Sequence, residues 1–193
     1  MPWTSEDLLG KWEQLEAYPE QEYALDKLLK ELCPKNETIE DILIKSLALN
    51  KFYSTRIYSI FPVAKHILEL NIDSRLLEGE VSLVDELKTV KIQGESHKFY
   101  SFASKYCSHH KPEDFPIYDN YVAKVLRHFR NIDKFVQRKD LKTYTNFVEA
   151  LDCFKNYYEL NRFSRKEIDR YLWLLGKAYF SKSTPKSNTQ EVW

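Results

Sequence analysis

Hydrophobic residues in this chain recur at three- and four-residue spacing nearly throughout, the mark of helices with one buried face. Leu8, Trp12 and Leu15 begin the pattern after a Thr4-Ser5 start signal, and Pro19 is expected to end that first helix. Tyr23, Leu25, Leu28, Leu29 and Leu32 form a second stripe, closed by Pro34. Thr38-x-x-Asp41 reads as a variant capping box opening a helix that carries Ile39, Ile42, Leu43, Leu47 and Leu49. The spacing predicts another helix over 55–70, kinked or broken at Pro62, and a short one from Ser82 with Leu83, Leu87 and Val90. A turn around Gly94 leads into a helix over 97–110, and the two prolines of Lys111-Pro112-Glu113-Asp114-Phe115-Pro116 force a loop after it. Helical spacing resumes over 119–129, 143–158 and 164–180, the last opened by a full capping box, Ser164-Arg165-Lys166-Glu167. No internal repeat interrupts this order. The pattern predicts an all-α, compact multi-helix domain over 1–180, with a polar, disordered tail over 181–193.

Composition narrows the class. The chain has 193 residues with only 4 glycines against 13 Tyr, 11 Phe and 4 Trp, which disfavours glycine-rich phosphate loops and strand-rich folds. Three scattered cysteines, Cys33, Cys107 and Cys153, make no disulfide framework. No apolar run is long enough to span a bilayer, and the first residues carry no secretion signal, so a cytoplasmic protein with no membrane partner is expected. The formal net charge is zero, yet residues 1–50 hold 5 basic and 11 acidic side chains. Between Lys124 and Lys142 the balance reverses, with Lys124, Arg127, Arg130, Lys134, Arg138, Lys139 and Lys142 against Asp133 and Asp140. Such a face either binds a polyanion or is a set of solvated helix surfaces.

Candidate chemistry concentrates between Ile92 and Arg130. Asp119 follows a proline-constrained loop at a helix start, where a carboxylate can cap the helix, serve a positive transition state, or do both. Lys98 and its rival Lys105 are candidate amine nucleophiles or ordinary surface lysines. Cys107-x-x-His110 with His109 offers metal-type ligands, but no second pair stands at a matching spacing, so neither a metal nor another cofactor is expected. Phe52, Tyr53, Tyr118, Tyr121 and Trp173 are available either to stack on a flat ligand or to fill the core.

In order and spacing this segment resembles the helix-hairpin-helix DNA glycosylase superfamily, the endonuclease III and 8-oxoguanine glycosylase type. Ile92-Gln93-Gly94-Glu95-Ser96 occupies the hairpin, Lys98 lies four residues past Gly94, and Asp119 lies 21 past Lys98 within Pro116-Ile117-Tyr118-Asp119-Asn120-Tyr121-Val122. The stretch 46–55 is similar to the family's junction of two helices beside the base pocket, and Glu167 to Trp173 to its closing helix. The hairpin holds one of the family's two glycines, with Glu95 at an apolar position, and the four-cysteine iron–sulfur loop is absent.

The resemblance implies a helix-hairpin-helix region at about 82–130 and a DNA-binding, base-excision repair hydrolase that cleaves an N-glycosidic bond. It makes Asp119 the catalytic carboxylate and Lys98, or Lys105, the lyase nucleophile. Gly94, Ser96, His97, Lys105, Lys124 and Arg127 would bind DNA, and the five aromatics would form the base pocket. The alternative is a non-catalytic nucleic-acid-binding or protein-interaction helical domain.

Overall fold

A computed structural model describes residues 17–181. Nine α-helices and one two-stranded sheet make up its regular structure among the described residues: α1 (Ala17–Asp26), α2 (Ile39–Phe52), α3 (Ile60–Leu70), α4 (Asp73–Glu78), α5 (Leu83–Leu87), β1 (Thr89–Ile92), β2 (Glu95–Lys98), α6 (Tyr100–His110), α7 (Asn120–Asp133), α8 (Tyr144–Tyr157) and α9 (Arg165–Phe180). A π-helical stretch, Lys27–Leu32, continues α1. The expected first helix, from Thr4-Ser5 to Pro19, and the expected tail over 181–193 lie almost wholly outside the described residues.

Most of the apolar stripes bury, whereas Tyr23, Leu32 and Leu47, expected within them, are exposed. Leu25 and Leu29, Ile42 and Leu49, Val63 and Ile67, Val122, Val125 and Leu126, Phe147, Leu151 and Phe154, and Ile168 and Leu172 meet in one core. Two helix starts are fixed as expected: Thr38 Oγ1 accepts from Asp41 N at 3.3 Å, and Ser164 and Glu167 form a reciprocal capping box.

Three expectations are corrected and one unpredicted helix is added. Pro19 lies inside α1 rather than ending it; it sits in the first described turn, where its missing N–H breaks no bond within the described helix. The helix expected over 55–70 starts only at Ile60, with Pro62 in its first turn. Residues 53–59 are held open by Asn50, whose Oδ1 accepts from Thr55 Oγ1 (2.7 Å) and Ile57 N (3.0 Å), and Ser54 and Arg56 take positive φ of 48° and 58°. Third, the fold is not purely α. Residues 89–98 form an antiparallel ladder pairing Ile92 with Glu95, turned by Gln93 (φ 51°) and Gly94 (φ 86°), two successive left-handed residues that suit a tight β-hairpin turn. The stretch predicted to be a helix-hairpin-helix is therefore a β-hairpin between helices α5 and α6, and α6 begins at Tyr100 instead of 97. The added helix, α4, was not visible in the spacing: it is a six-residue helix, too short for a periodic stripe.

One buried polar cluster locks α6 into the bundle. Asn36 donates to Asp73 from its backbone N (2.9 Å) and Nδ2 (2.5 Å), while its Oδ1 accepts from Lys45 Nζ (2.7 Å) and Tyr106 OH (2.5 Å). Lys45 Nζ also donates to the Lys35 carbonyl at 2.7 Å. One asparagine thus ties the turn before α2 to α2, α4 and α6.

Candidate functional site

The α6 helix, fixed by Tyr106, carries Lys105 about 100° around its circumference from that anchor. Lys105 is 6% exposed, its Nζ donates to Ser101 Oγ at 2.6 Å, and it lies 4.9 Å from the centre of the Tyr53 ring. Ser104, one residue before, is just as local in its effect: its Oγ donates to the Ser101 carbonyl and accepts from Tyr118 N at 3.0 Å. Tyr144 OH donates to the Pro116 carbonyl at 2.7 Å. These two bonds pin the Pro116–Tyr118 strap and so set the position of Asp119. Asp119 caps α7 with extended backbone, its Oδ1 accepting from Tyr121 N at 2.7 Å.

Helix α9 closes the site. It approaches α7 at Gly176, where a Cβ would stand 2.7 Å from Tyr121 Cβ and 2.8 Å from the Tyr121 carbonyl oxygen, so only glycine permits this spacing. The approach brings Asp169 and Trp173 beside Asp119. On the remaining wall, Lys166 Nζ pairs with Glu22 Oε1 at 2.8 Å and Arg170 pairs with the same carboxylate, tying α9 to α1.

The result is a cleft lined by Gln21, Glu22 and Leu25 of α1, by Phe52 and Tyr53, by Lys105, Ile117 and Asp119, and by Lys166, Asp169, Arg170 and Trp173 of α9. It encloses about 120 Å³. At roughly 10–15 Å³ for each water-sized occupant, that is space for about ten heavy atoms, the size of one heterocyclic ring system.

Electrostatics divide the cleft into two parts. Along the α1 side the charges are paired: Tyr53 OH meets His109 Nε2 at 2.8 Å, His109 Nδ1 meets Asp26 Oδ1 at 2.9 Å, and Asp26 also takes Lys30 at 3.0 Å. Burial works against the Asp26 charge, but the His109 and Lys30 hydrogen bonds and nearby Lys166 hold its carboxyl well below the ordinary range. At the α6–α9 side the ionisable groups are under-compensated. Burial pushes the Lys105 amine below its ordinary value despite the attraction of Asp119 and Asp169. Burial likewise pushes the Asp169 carboxyl well above the usual range, with Lys105 opposing and Asp119 adding to the shift. Asp169 Oδ1 is buried with no hydrogen-bond partner. An amine inclined to lose its proton beside a carboxyl inclined to keep one is a nucleophile–acid arrangement.

The structure sorts the sequence candidates. Asp119, Lys105, Phe52, Tyr53 and Trp173 share the cleft. Lys98 does not: it is exposed on β2, paired across the ladder with Thr89, so Lys105 replaces it as the amine beside Asp119. Gly94, Ser96 and His97 also lie on this β-hairpin, and none of them lines the cleft, which removes the main-chain phosphate clamp that a helical hairpin would have supplied. Tyr118 is a core residue instead of a pocket wall, stacked on Tyr100 at 3.8 Å between ring centres and edge-on to Phe147. Tyr121 packs against Gly176 with Lys124 Nζ 5.6 Å from its ring centre, outside the cleft. Lys124 and Arg127 lie farther along α7, the helix that Asp119 caps; Lys124 is exposed and Arg127 partly so. Burial, and after it the charges of Arg138 and Arg127, lower the buried Arg130 guanidinium below its ordinary value, so three guanidiniums gather there. Cys107 is buried and its thiol pushed up by burial, while His109 is engaged by Tyr53 and Asp26.

Sequence reasoning missed Asp169 as well as the Glu22, Lys166 and Arg170 wall. The available signal was an aspartate set among Ile168, Leu172 and Leu175, inside the apolar stripe of α9.

Fold and site together define a mostly helical domain with an amine–carboxyl cleft. Residues 4–114 of the chain match the HI_0787_N family, described as an N-terminal domain, and the chain belongs to that family. It is also similar to a Haemophilus influenzae protein described as uncharacterized, 51% identical over 148 residues, which span 75% of this chain and 71% of that relative. No solved structure matches the chain. The matched segment contains Lys105 and stops short of Asp119 and Asp169.

Proposed function

We propose that this protein excises a base from DNA, with the cleft receiving the extruded nucleoside. The observation that carries the reading is the meeting of Lys105 and Asp119 in one aromatic-walled cleft large enough for a single base. Phe52, Tyr53 and Trp173 offer faces for stacking. The Lys105 amine attacks C1′ as the glycosidic C–N bond breaks, and the Asp119 carboxylate stabilises the positive charge developing on the sugar. Lys124 and Arg127, on the helix that Asp119 caps, with exposed Arg138 from the loop after it, supply a basic flank for backbone phosphates.

The test is base release from a panel of lesion-bearing duplexes at low and physiological salt, comparing wild type with Asp119→Asn. Release by wild type and a loss of about 100-fold or more in the variant is the expected outcome. Salt-sensitive binding without release, unchanged by the substitution, favours a non-catalytic nucleic-acid-binding domain instead. No binding at all defeats both.

A further inference from the structure

We infer that Asp169 is the proton-donating acid of this cleft, and that with Lys105 it makes the cleft a site for aldehydes, which Lys105 captures as an imine. The inference rests on Lys105 as the nucleophile of the proposed function, but it requires no nucleic acid.

Three observations carry it. Asp169 and Lys105 line the same cleft from different helices, α9 and α6. Asp169 Oδ1 is buried and bonded to nothing, a cost that a purely structural aspartate would relieve with a partner. Lys105 Nζ has a single hydroxyl, Ser101 Oγ, as its hydrogen-bond acceptor, which leaves the lone pair of the neutral amine available. The surrounding charges are mostly paired with one another, although Asp119 acts on both groups and Arg170 and Glu22 act on Asp169. On α1, Glu22 is taken by Lys166 and Arg170, and Asp26 by His109 and Lys30; at the head of α7, Asp119 accepts from Tyr121 N. Tyr53, under the amine, is bonded to His109. The directions in which burial moves the two groups agree: the amine toward neutral, the carboxyl toward protonated.

The chemistry balances without an outside oxidant or reductant. The Lys105 lone pair forms a C–N bond to the carbonyl carbon, the C–O π pair moves to oxygen, and that oxygen takes the Asp169 proton. The Asp169 carboxylate then recovers a proton from the new ammonium. Donated again, this proton leaves with the carbinolamine oxygen as water, and the nitrogen lone pair closes the iminium. A ring-opened deoxyribose aldehyde is one substrate of this class. The acid must be protonated and the amine neutral, so capture has a bell-shaped pH profile with one proton shared by the pair.

The experiment uses the full chain with benzaldehyde and sodium cyanoborohydride, which reduces the imine, and counts labelled lysines by peptide mass spectrometry across pH. Wild type is expected to label Lys105 about tenfold or more above surface lysines at neutral pH. Asp169→Asn is expected to slow that labelling roughly 100-fold, to lose the alkaline limb of the profile, and to regain rate with added formic acid buffer. Circular dichroism of the variant checks that the fold is kept. An Asp169→Asn protein that labels at the wild-type rate with the same profile overturns the inference. A wild type whose Lys105 reacts no faster than surface lysines overturns it together with Lys105 as nucleophile. Asp169-dependent capture in a protein that neither releases a base nor traps abasic DNA upholds the inference and removes the nucleic-acid reading alone.

Discussion

Two lysines are buried among the described residues, and they are opposites. Lys45 sits in a finished polar cluster: its amine donates to Lys35 O and Asn36 Oδ1 at 2.7 Å each, with the Tyr106 ring 5.7 Å away. Lys105, on the helix that Tyr106 anchors, has one hydroxyl acceptor and faces an open cleft with an unbonded carboxyl in it. Burial lowers both amines, Lys45 to about 8. A displaced pKa alone therefore does not separate a structural lysine from a chemical one. Hydrogen-bond satisfaction and access to a cavity do.

Substituting each lysine by methionine breaks the comparison apart. Lys45→Met is expected to cost about 2–4 kcal/mol, because it strands the Lys35 carbonyl and cuts one of the bonds holding Asn36. Lys105→Met is expected to change stability by less than about 1 kcal/mol, since it removes a poorly compensated amine and keeps the volume. Denaturant unfolding measures both. Equal losses would erase the distinction.

The close approach that assembles the chemical site comes next in size. Gly176→Ala pushes a methyl into Tyr121 Cβ and its carbonyl, and a loss of about 1–3 kcal/mol is expected from the shift between α7 and α9. Because that shift separates Asp169 and Trp173 from Asp119, lesion release should fall by more than the unfolded fraction explains. A parallel assay of folded fraction and activity decides the point.

Asp169→Asn gives a smaller effect of opposite sign. A carboxyl raised in the folded state holds a proton that the unfolded chain releases above about pH 4. Wild-type stability therefore falls as pH rises through that range, while the asparagine variant escapes the penalty. The variant should match wild type near pH 3 and melt a few degrees higher at pH 7, a shift of about 2–4 °C for each kcal/mol.

A second pH effect belongs to Lys45. Between about pH 8 and the ordinary lysine value the unfolded chain keeps a proton that folded Lys45 has lost, so its contribution to stability rises with pH there. Lys45→Met should remove that slope, which pH-resolved melting detects.

Much of this was legible in the sequence, for identifiable reasons. Stripes such as Val122, Val125 and Leu126, and the Ser164–Glu167 box, carry their own local energy and led directly to helices. Asp119 was legible as a cap because the proline strap before it forbids helix. The β-hairpin was not, since a Gln-Gly turn with short flanking strands leaves no alternation long enough to compete with helical spacing. Spacing from Gly94 pointed to Lys98, with Lys105 as its rival; the α6 lock at Tyr106 and the start of α6 at Tyr100 turn Lys105 inward instead. Asp169 escaped because its role depends on α9 meeting α7 at Gly176, a contact no local pattern encodes.

Lys105 stands as the proposed nucleophile of this cleft. Its most direct test is borohydride trapping on duplex DNA carrying one abasic site, with wild type, Lys105→Gln and Lys98→Gln run together. A covalent adduct that maps to Lys105, vanishes in Lys105→Gln and persists in Lys98→Gln is the expected result. An adduct that survives Lys105→Gln, or no adduct in any of the three, contradicts it.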